Sequence, residues 1–323
     1  MKLSRRKALS IALWSAATPA LVFAQSGFPD KPIRVVVPYP PGGQSDITAR
    51  LLSDKLSAAL GQPVIVDNRG GANGAIGAAF LAKAPADGYT LGLVAASHVL
   101  NGALMPQLSF DPVKSFAGVA VVTKSPIVMV VPSSLPVKTV SEFVAYVRAN
   151  KGRVSYGSAG VGSNIHVFAA WFNDLSGLDM VHVPSRGSGP AHIELMAGRT
   201  QLMFDTHGAV RSHIASGRMR LIATGAGRLP DHPDVPSVAE AGYPLFTASS
   251  WGAIIAPAGV PREVLEKLNR TVNAVLAEPA LRAKIEESGA EVGRSSPAEV
   301  DALLAADERR FSQLIKAQGI TLN

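Results

Sequence analysis

Three times this chain runs from a short apolar segment through a glycine-rich turn into a helical pattern that opens on small or polar residues. Ile33–Pro38 leads into Pro40-Pro41-Gly42-Gly43-Gln44-Ser45-Asp46, with a helix predicted from Ile47. Val154–Gly157 leads into Ser158-Ala159-Gly160-Val161-Gly162-Ser163, with a helix from about Ile165. Met180–Pro184 leads into Ser185-Arg186-Gly187-Ser188-Gly189, with Pro190 at the first helical position. Such a turn aims unpaired backbone N–H groups one way, at the positive end of a helix dipole. Main chain arranged like this is an anion site. The repetition restricts the fold to alternating strands and helices. It points to a protein that holds a small negatively charged molecule.

The alternation continues along the chain. Apolar spacing at Ile47, Leu51, Leu52, Leu56 and Leu60 predicts a helix that Gly61 ends. Pro63–Val66 and Tyr89–Val94 read as further strands, and Ser97–Leu104 as a short helix. Together they form a βαβαβ unit with a parallel sheet. Ala117–Val122 and Ile127–Val131 read as neighbouring strands with a crossing point at Thr123–Pro126. The alternation then restarts as a second α/β unit reaching Leu221–Ala223, followed by a strand at Trp251–Ala256. Two periodic helices, Pro261–Leu276 and Pro297–Ala317, close the chain and are expected to pack back on the first unit.

The first residues read as a targeting segment. Lys2, Arg5, Arg6 and Lys7 precede an apolar stretch, Ala8–Val22, too short to span a bilayer comfortably. Val22-Phe23-Ala24 fits a small-residue cleavage site after Ala24, so a secretory signal is expected. The formal charge is +7; removing the four basic side chains of residues 1–24, which hold no acidic ones, leaves +3. No basic run with interleaved aromatics follows, which argues against a nucleic-acid partner. No later apolar stretch reaches membrane-span length. The 323 residues contain no cysteine, so disulfides and thiolate chemistry are excluded.

Each candidate site has two readings. In Pro40–Asp46 the glycines allow a ligand close to the backbone, and Ser45 or Asp46 is placed to cap the helix; a purely structural βα turn fits equally well. Ser158 and Ser163 offer hydroxyls, and His166 lies on the first helical turn as a ligand contact or a core residue. Arg186 is placed to fork onto a carboxylate or to sit in solvent. Asp205 ends an apolar strand where open α/β sheets place their sites, or else caps the next helix. Ser97 holds the corresponding edge of the first unit. The chain has no Gly-x-Ser-x-Gly elbow, no nucleoside-triphosphate P-loop, no dinucleotide fingerprint and no His-Glu-x-x-His spacing. No catalytic residue, cofactor or metal site is expected.

Several longer stretches carry a resemblance. They are Phe28-Pro29-Asp30-Lys31-Pro32-Ile33, Val37-Pro38-Tyr39-Pro40-Pro41-Gly42-Gly43 with Asp46, and Val66-Asp67-Asn68-Arg69-Gly70-Gly71-Ala72-Asn73-Gly74. Tyr156–Ser163 with His166, His182-Val183-Pro184, Pro233–Gly242 and Ser250-Trp251-Gly252 follow in order. The chain resembles the substrate receptors of tripartite tricarboxylate transporters, the Bug family. The resemblance implies a type II-like periplasmic binding protein of two lobes, each a mainly parallel sheet flanked by helices. It implies lobe one at residues 25–124 and 247–323, lobe two at 125–246, and closure about Thr123–Pro126 and Pro244–Ser249. It puts Gly42, Gly43 and Asp46 in the lobe-one site, where Tyr39, Pro41 and Ser97 are further candidates. It puts Ser158, Gly160, Gly162, Ser163 and His166 in lobe two, with Asp205 nearby and Arg186 as a further candidate. The implied ligand is a small organic acid, the partner a membrane permease, and the protein a monomer. Where the family commonly reads Val-Pro-Tyr-Lys-Gly, this chain has Val183-Pro184-Ser185-Arg186-Gly187. Two other readings use the same cleft, an exported hydrolase and a ligand-sensing subunit of a signalling system.

Overall fold

The computed structural model describes residues 27–317 and 319–320. The secretory segment and its cleavage site lie outside the described residues. Strand β1 (Ile33–Val37) leads to helix α1 (Gln44–Leu60), β2 (Val64–Asn68), a 3₁₀ turn (Ala72–Gly74) and α2 (Ala75–Ala82). β3 (Thr90–Ala95), α3 (Ser97–Leu104) and the long β4 (Phe116–Pro132) follow. Then come α4 (Val140–Ala149), β5 (Ser155–Ser158), α5 (Asn164–Leu175), β6 (Val181–Pro184), α6 (Ser188–Met196), β7 (Met203–Thr206), α7 (His207–Ala215) and β8 (Met219–Thr224). The chain returns through β9 (Ser249–Pro257), α8 (Arg262–Leu276), α9 (Pro279–Glu287), β10 (Glu291–Val292) and α10 (Pro297–Ala317). No helix among the described residues is long and apolar enough to cross a membrane.

The sheets are mixed. Strands delivered by βα units pair in parallel: β1 with β2 and β3, and β5 with β6. The strands that cross between the lobes pair antiparallel: β9 with β3 and β4, and β4 with β7 and β8. A single bridge, Tyr156 to Leu202, sets β5 parallel to the chain entering β7.

The two short strands expected either side of Thr123–Pro126 are one strand of 17 residues, β4. Proline has no N–H to donate and normally marks a strand edge. Pro126 is tolerated because it stands where β4 exchanges partners: it pairs with Ser249 of β9, and Ile127 next to it pairs with Thr206 of β7.

Helix starts also shift. α1 begins at Gln44 with Gly43 as N-cap, so neither Ser45 nor Asp46 caps it as expected. α6 begins at Ser188, which moves Pro190 into the third helical position; no hydrogen bond is lost there, because first-turn N–H groups have no intrahelical acceptor. Along α1 the core face is Ala49, Leu52 and Leu56, while Ile47 is exposed.

One face of the lobe-one sheet packs Ile33, Val35, Leu91 and Leu93 against Leu52 and Leu56 of α1 and Leu268 and Val272 of α8. The other face packs Val94 and Val121 against Leu81, Val99 and Val300. That second core runs on into lobe two, where Phe168 of α5 meets Phe311 of α10 with ring centroids 5.9 Å apart.

Candidate functional site

The strand directions place two edges face to face. β3 and β4 are both antiparallel to β9, so β4 leaves lobe one at the edge where β1, β2 and β3 end. Ala95 at the end of β3 pairs with Gly252, which pairs with Thr123. Beyond it, Ile127 of β4 already pairs with Thr206, the last residue of β7. Only Lys124, Ser125 and Pro126 lie between. The step from Thr123 to Ile127 is four residues, so at about 3.3 Å per residue the carboxyl ends of the two sheets stand roughly 13 Å apart at the floor of the cleft. Open α/β sheets place ligands outside such edges. Asn164, the first residue of α5, reaches Ser250 of β9 across this floor, Nδ2 to Oγ at 3.4 Å.

In lobe one, Tyr39 ties three loops together. Its hydroxyl accepts the Ala95 N–H (3.1 Å) and bonds Ser97 Oγ (2.9 Å). Its carbonyl accepts from Asn68 Nδ2 at 3.2 Å. Gly74 lies so close to the Tyr39 ring that an added Cβ would stand 3.2 Å from it. Burial raises the phenol pKa against the Ser97 and Ala95 bonds, so the hydroxyl stays protonated. Tyr39 and Ser97 are thus engaged with each other.

Asp46 is buried and reaches back from the third helical position. Its Oδ2 accepts the Gly42 N–H at 2.8 Å, and Arg50 Nε donates to both oxygens at 3.0 and 3.1 Å. Burial pushes the carboxyl up, but the bonds from Arg50, Gly42 and Asn68 outweigh it and hold it below its usual range. The Gly42 N–H, expected as a ligand donor, is therefore already engaged. Gly42 has φ +83°. Gly43 and the first-turn N–H groups of Gln44 and Ser45 sit beside it with no intrahelical acceptor. Pro41 is exposed at the tip of the same loop.

Lobe two repeats the device. The Gly162 N–H donates to His166 Nδ1 at 3.1 Å, again four residues on. The Gly160 N–H donates to Ser158 Oγ at 3.1 Å, and Ser163 Oγ donates to the Gly160 carbonyl at 2.8 Å while capping α5. Ser158 Oγ also bonds His182 Nε2 at 2.7 Å. The His166 and His182 rings stack at 3.7 Å between centroids and 6° between planes, with Tyr156 beside the pair at 5.1 Å from His182 and 6.2 Å from His166. Burial and the neighbouring His182 push His166 down to about 4, and burial does the same to His182. Both rings are neutral near pH 7, and the stack carries no charge repulsion. With Nδ1 accepting from Gly162, His166 keeps its proton on Nε2 as a donor.

The loop after β6 lies against this turn: Ser185 and Gly187 donate backbone N–H to Ser158 and Ala159 carbonyls at 3.0 and 3.1 Å. Arg186 is exposed on it, and no carboxylate among the described residues pairs with its guanidinium. Asp205 behaves otherwise than expected. It caps no helix: Oδ2 bonds His192 Nε2 at 2.8 Å, and Oδ1 accepts the Thr206 N–H at 2.7 Å. This pair is buried, with both carboxylate oxygens engaged.

Residues 48–320 match the tripartite tricarboxylate transporter family receptor. The chain belongs to this family. Protein BugT of Bordetella pertussis is 34% identical over 317 residues, covering 97% of each chain. Among solved structures, Rpa4515 of R. palustris with adipate has a TM-score of 0.80 at 33% identity, covering 91% of this chain and 100% of that one. MatC of Rhodopseudomonas palustris with bound malate has a TM-score of 0.77 at 32% identity, covering 89% of this chain and 100% of that one. The receptor has the two-lobed periplasmic binding fold and is a solute-binding protein, not an enzyme. The reading of a hydrolase in the same cleft is thereby set aside.

Three features of the receptor's site escaped sequence reasoning. The Tyr156–His182 contact follows from strand register, since those residues are direct partners in β5 and β6. The Gly-to-side-chain bonds follow a four-residue spacing, Gly42 to Asp46 and Gly162 to His166, that was visible in the sequence. The Asn164–Ser250 contact had no local signal.

Proposed function

We propose that this receptor captures a small carboxylate between its lobes and delivers it to a tripartite tricarboxylate-type permease. The ligand class is a di- or tricarboxylate, an acidic amino acid or an aromatic acid. Lobe one comprises residues 25–124 and 247–323, and lobe two residues 125–246. The protein is exported as a monomer to the periplasm after cleavage following Ala24. The observation that carries this reading is the path of β4. Three residues separate the carboxyl edge of one sheet from that of the other, and both edges carry glycine turns and helix N-termini. The adipate and malate of the related structures are acids that fit a gap of that size.

The energetics require more than dipoles. A micromolar ligand needs about 8 kcal/mol. A helix dipole contributes only about 0.3–1 kcal/mol, or about 2 when partly buried. Charge-assisted hydrogen bonds at roughly 1.5–3 kcal/mol each must add most of the rest. Arg186, His166 Nε2–H and the first-turn N–H groups of α1 and α5 are the donors in this reading, with bridging waters among them. Titration calorimetry of the mature protein against dicarboxylates and their neutral diamides tests it. Acids are expected to bind and to be recovered unaltered by mass spectrometry. Equal affinity for the diamides, or no binding across a broad carboxylate panel, would overturn the proposal.

A further inference from the structure

A cavity of about 320 Å³ lies beside Pro126, lined by His207, Arg211, Asp231, Glu286 and Glu291 among others. His207 opens α7, and its side chain is only 9% exposed. Its Nε2 is buried and finds no hydrogen-bond partner among the described residues. The nearest carboxylate oxygen, Asp231 Oδ2, is 3.6 Å away, too long for a hydrogen bond. His232 Nε2 stands 4.0 Å from the same oxygen. The His207 and His232 rings meet edge to face at 5.5 Å. One ligating atom from each of the three residues lies within 4.8 Å of the other two.

We propose that this pocket is a binding site for a divalent cation of the zinc class, held by His207 Nε2, His232 Nε2 and the Asp231 carboxylate. Two imidazoles and one carboxylate form a borderline nitrogen–oxygen set, which suits zinc and its neighbours rather than calcium or magnesium. Zinc bonds of about 2.0–2.2 Å set tetrahedral ligand atoms roughly 3.3 Å apart, so the three atoms need only a modest contraction. Asp231 has an exposed side chain at 42%, free to move inward, while His207 is fixed. Glu286 and Glu291 line the same cavity. Arg211 lies 3.9 Å from Asp231 Oδ2, but its side chain is 58% exposed, so solvent screens its charge at the site. The sequence gives no spacing signal for such a site. His207 stands more than twenty residues before the Asp231-His232 pair, and the fold brings them together.

The test uses the tag-free mature protein stripped with a chelator, titrated with Zn²⁺ and, in parallel, with Co²⁺ followed by visible absorption. One equivalent is expected to bind, with the Co²⁺ bands of a low-coordinate nitrogen–oxygen site. Removing even an outer-shell partner typically lowers metal affinity about 10- to 100-fold, so H232A and D231N, both at accessible positions, are each expected to lose at least that much. H207A is expected to abolish the Co²⁺ bands; circular dichroism confirms that each variant is folded. No saturable binding in the micromolar range, or binding unchanged in H232A and D231N, would overturn the proposal. Carboxylate affinity of the stripped protein is measured separately, so failure here leaves the proposed transport function standing.

Discussion

Gly42 and Gly160 hold φ values of +83° and +128°, in a region that side-chain-bearing residues rarely adopt. A Cβ at Gly42 meets nothing within 4 Å, so a substitution there is opposed by backbone strain alone. A Cβ at Gly160 would in addition stand 3.3 Å from the Ser185 carbonyl, between the two lobe-two loops. Each strain is about 1–2 kcal/mol, well within the stability of an ordinary domain. Gly42→Val and Gly160→Val are therefore expected to fold and to lose carboxylate binding, because the turn no longer presents its neighbouring N–H groups. Calorimetry on folded protein decides it; unchanged affinity in both variants would refute the role assigned to these turns. Arg186→Gln removes a guanidinium that no described carboxylate neutralises. If Arg186 forks onto the ligand, affinity drops roughly tenfold to a hundredfold, the loss of a charge-assisted bond, with no change in melting temperature. An unaltered dissociation constant would return Arg186 to the solvent.

At the scale of elements, the periodic helices were the most legible. Val264, Leu268, Val272 and Val275 recur on one face of α8, and all four are buried. Leu268→Ala is expected to cost about 2–5 kcal/mol of stability while leaving ligand affinity unchanged, since Leu268 is buried in the core with Leu52, Leu56 and Val272 and is none of the candidate site residues. Denaturant unfolding beside calorimetry separates the two effects. α9 and β10 were not foreseen. α9 buries only Leu281 and Ile285, too few for a visible stripe, and β10 is two residues docked on Thr123 and Lys124. The continuity of β4 was hidden for a different reason: polar residues and a proline read as a break, while strand pairing on both sides carries the backbone straight through. The glycine turns were located correctly from composition. The acceptors of their N–H groups were not, because the four-residue spacing from Gly42 to Asp46 and from Gly162 to His166 does not by itself say that the side chain folds back. The helix-cap reading of Asp205 fails on the same account, since His192, its partner, comes from a different element.

For the molecule as a whole, buried histidines set a pH window. His98, His166 and His182 are each held near 4: burial dominates in all three, His182 adds to the effect on His166, and the bond from His98 to the Pro112 carbonyl opposes it. In the unfolded chain they titrate near 6.5. Between those values the unfolded state binds protons that the native state refuses, so stability falls as pH is lowered. Above about 6.5 neither state binds them, and their contribution is fully retained; below about 4 both do, and their slope vanishes. The lowered carboxylates, Asp46 and Asp111, act in the same direction but at lower pH, because their ordinary range already lies near 4. The interval from pH 6.5 to 5 therefore isolates the imidazoles. Urea midpoints are expected to decline steadily across it, with His98, His166 and His182 together contributing a slope approaching three protons and His207 and His213, also lowered by burial, adding to it. The imidazole Cε1 protons of His98, His166 and His182 are expected to stay unshifted by NMR down to about pH 5. A flat midpoint from pH 7 to 5, or rings that titrate near 6.5 in the folded protein, would mean that water reaches these rings. The neutral His166–His182 stack described for lobe two would then be wrong.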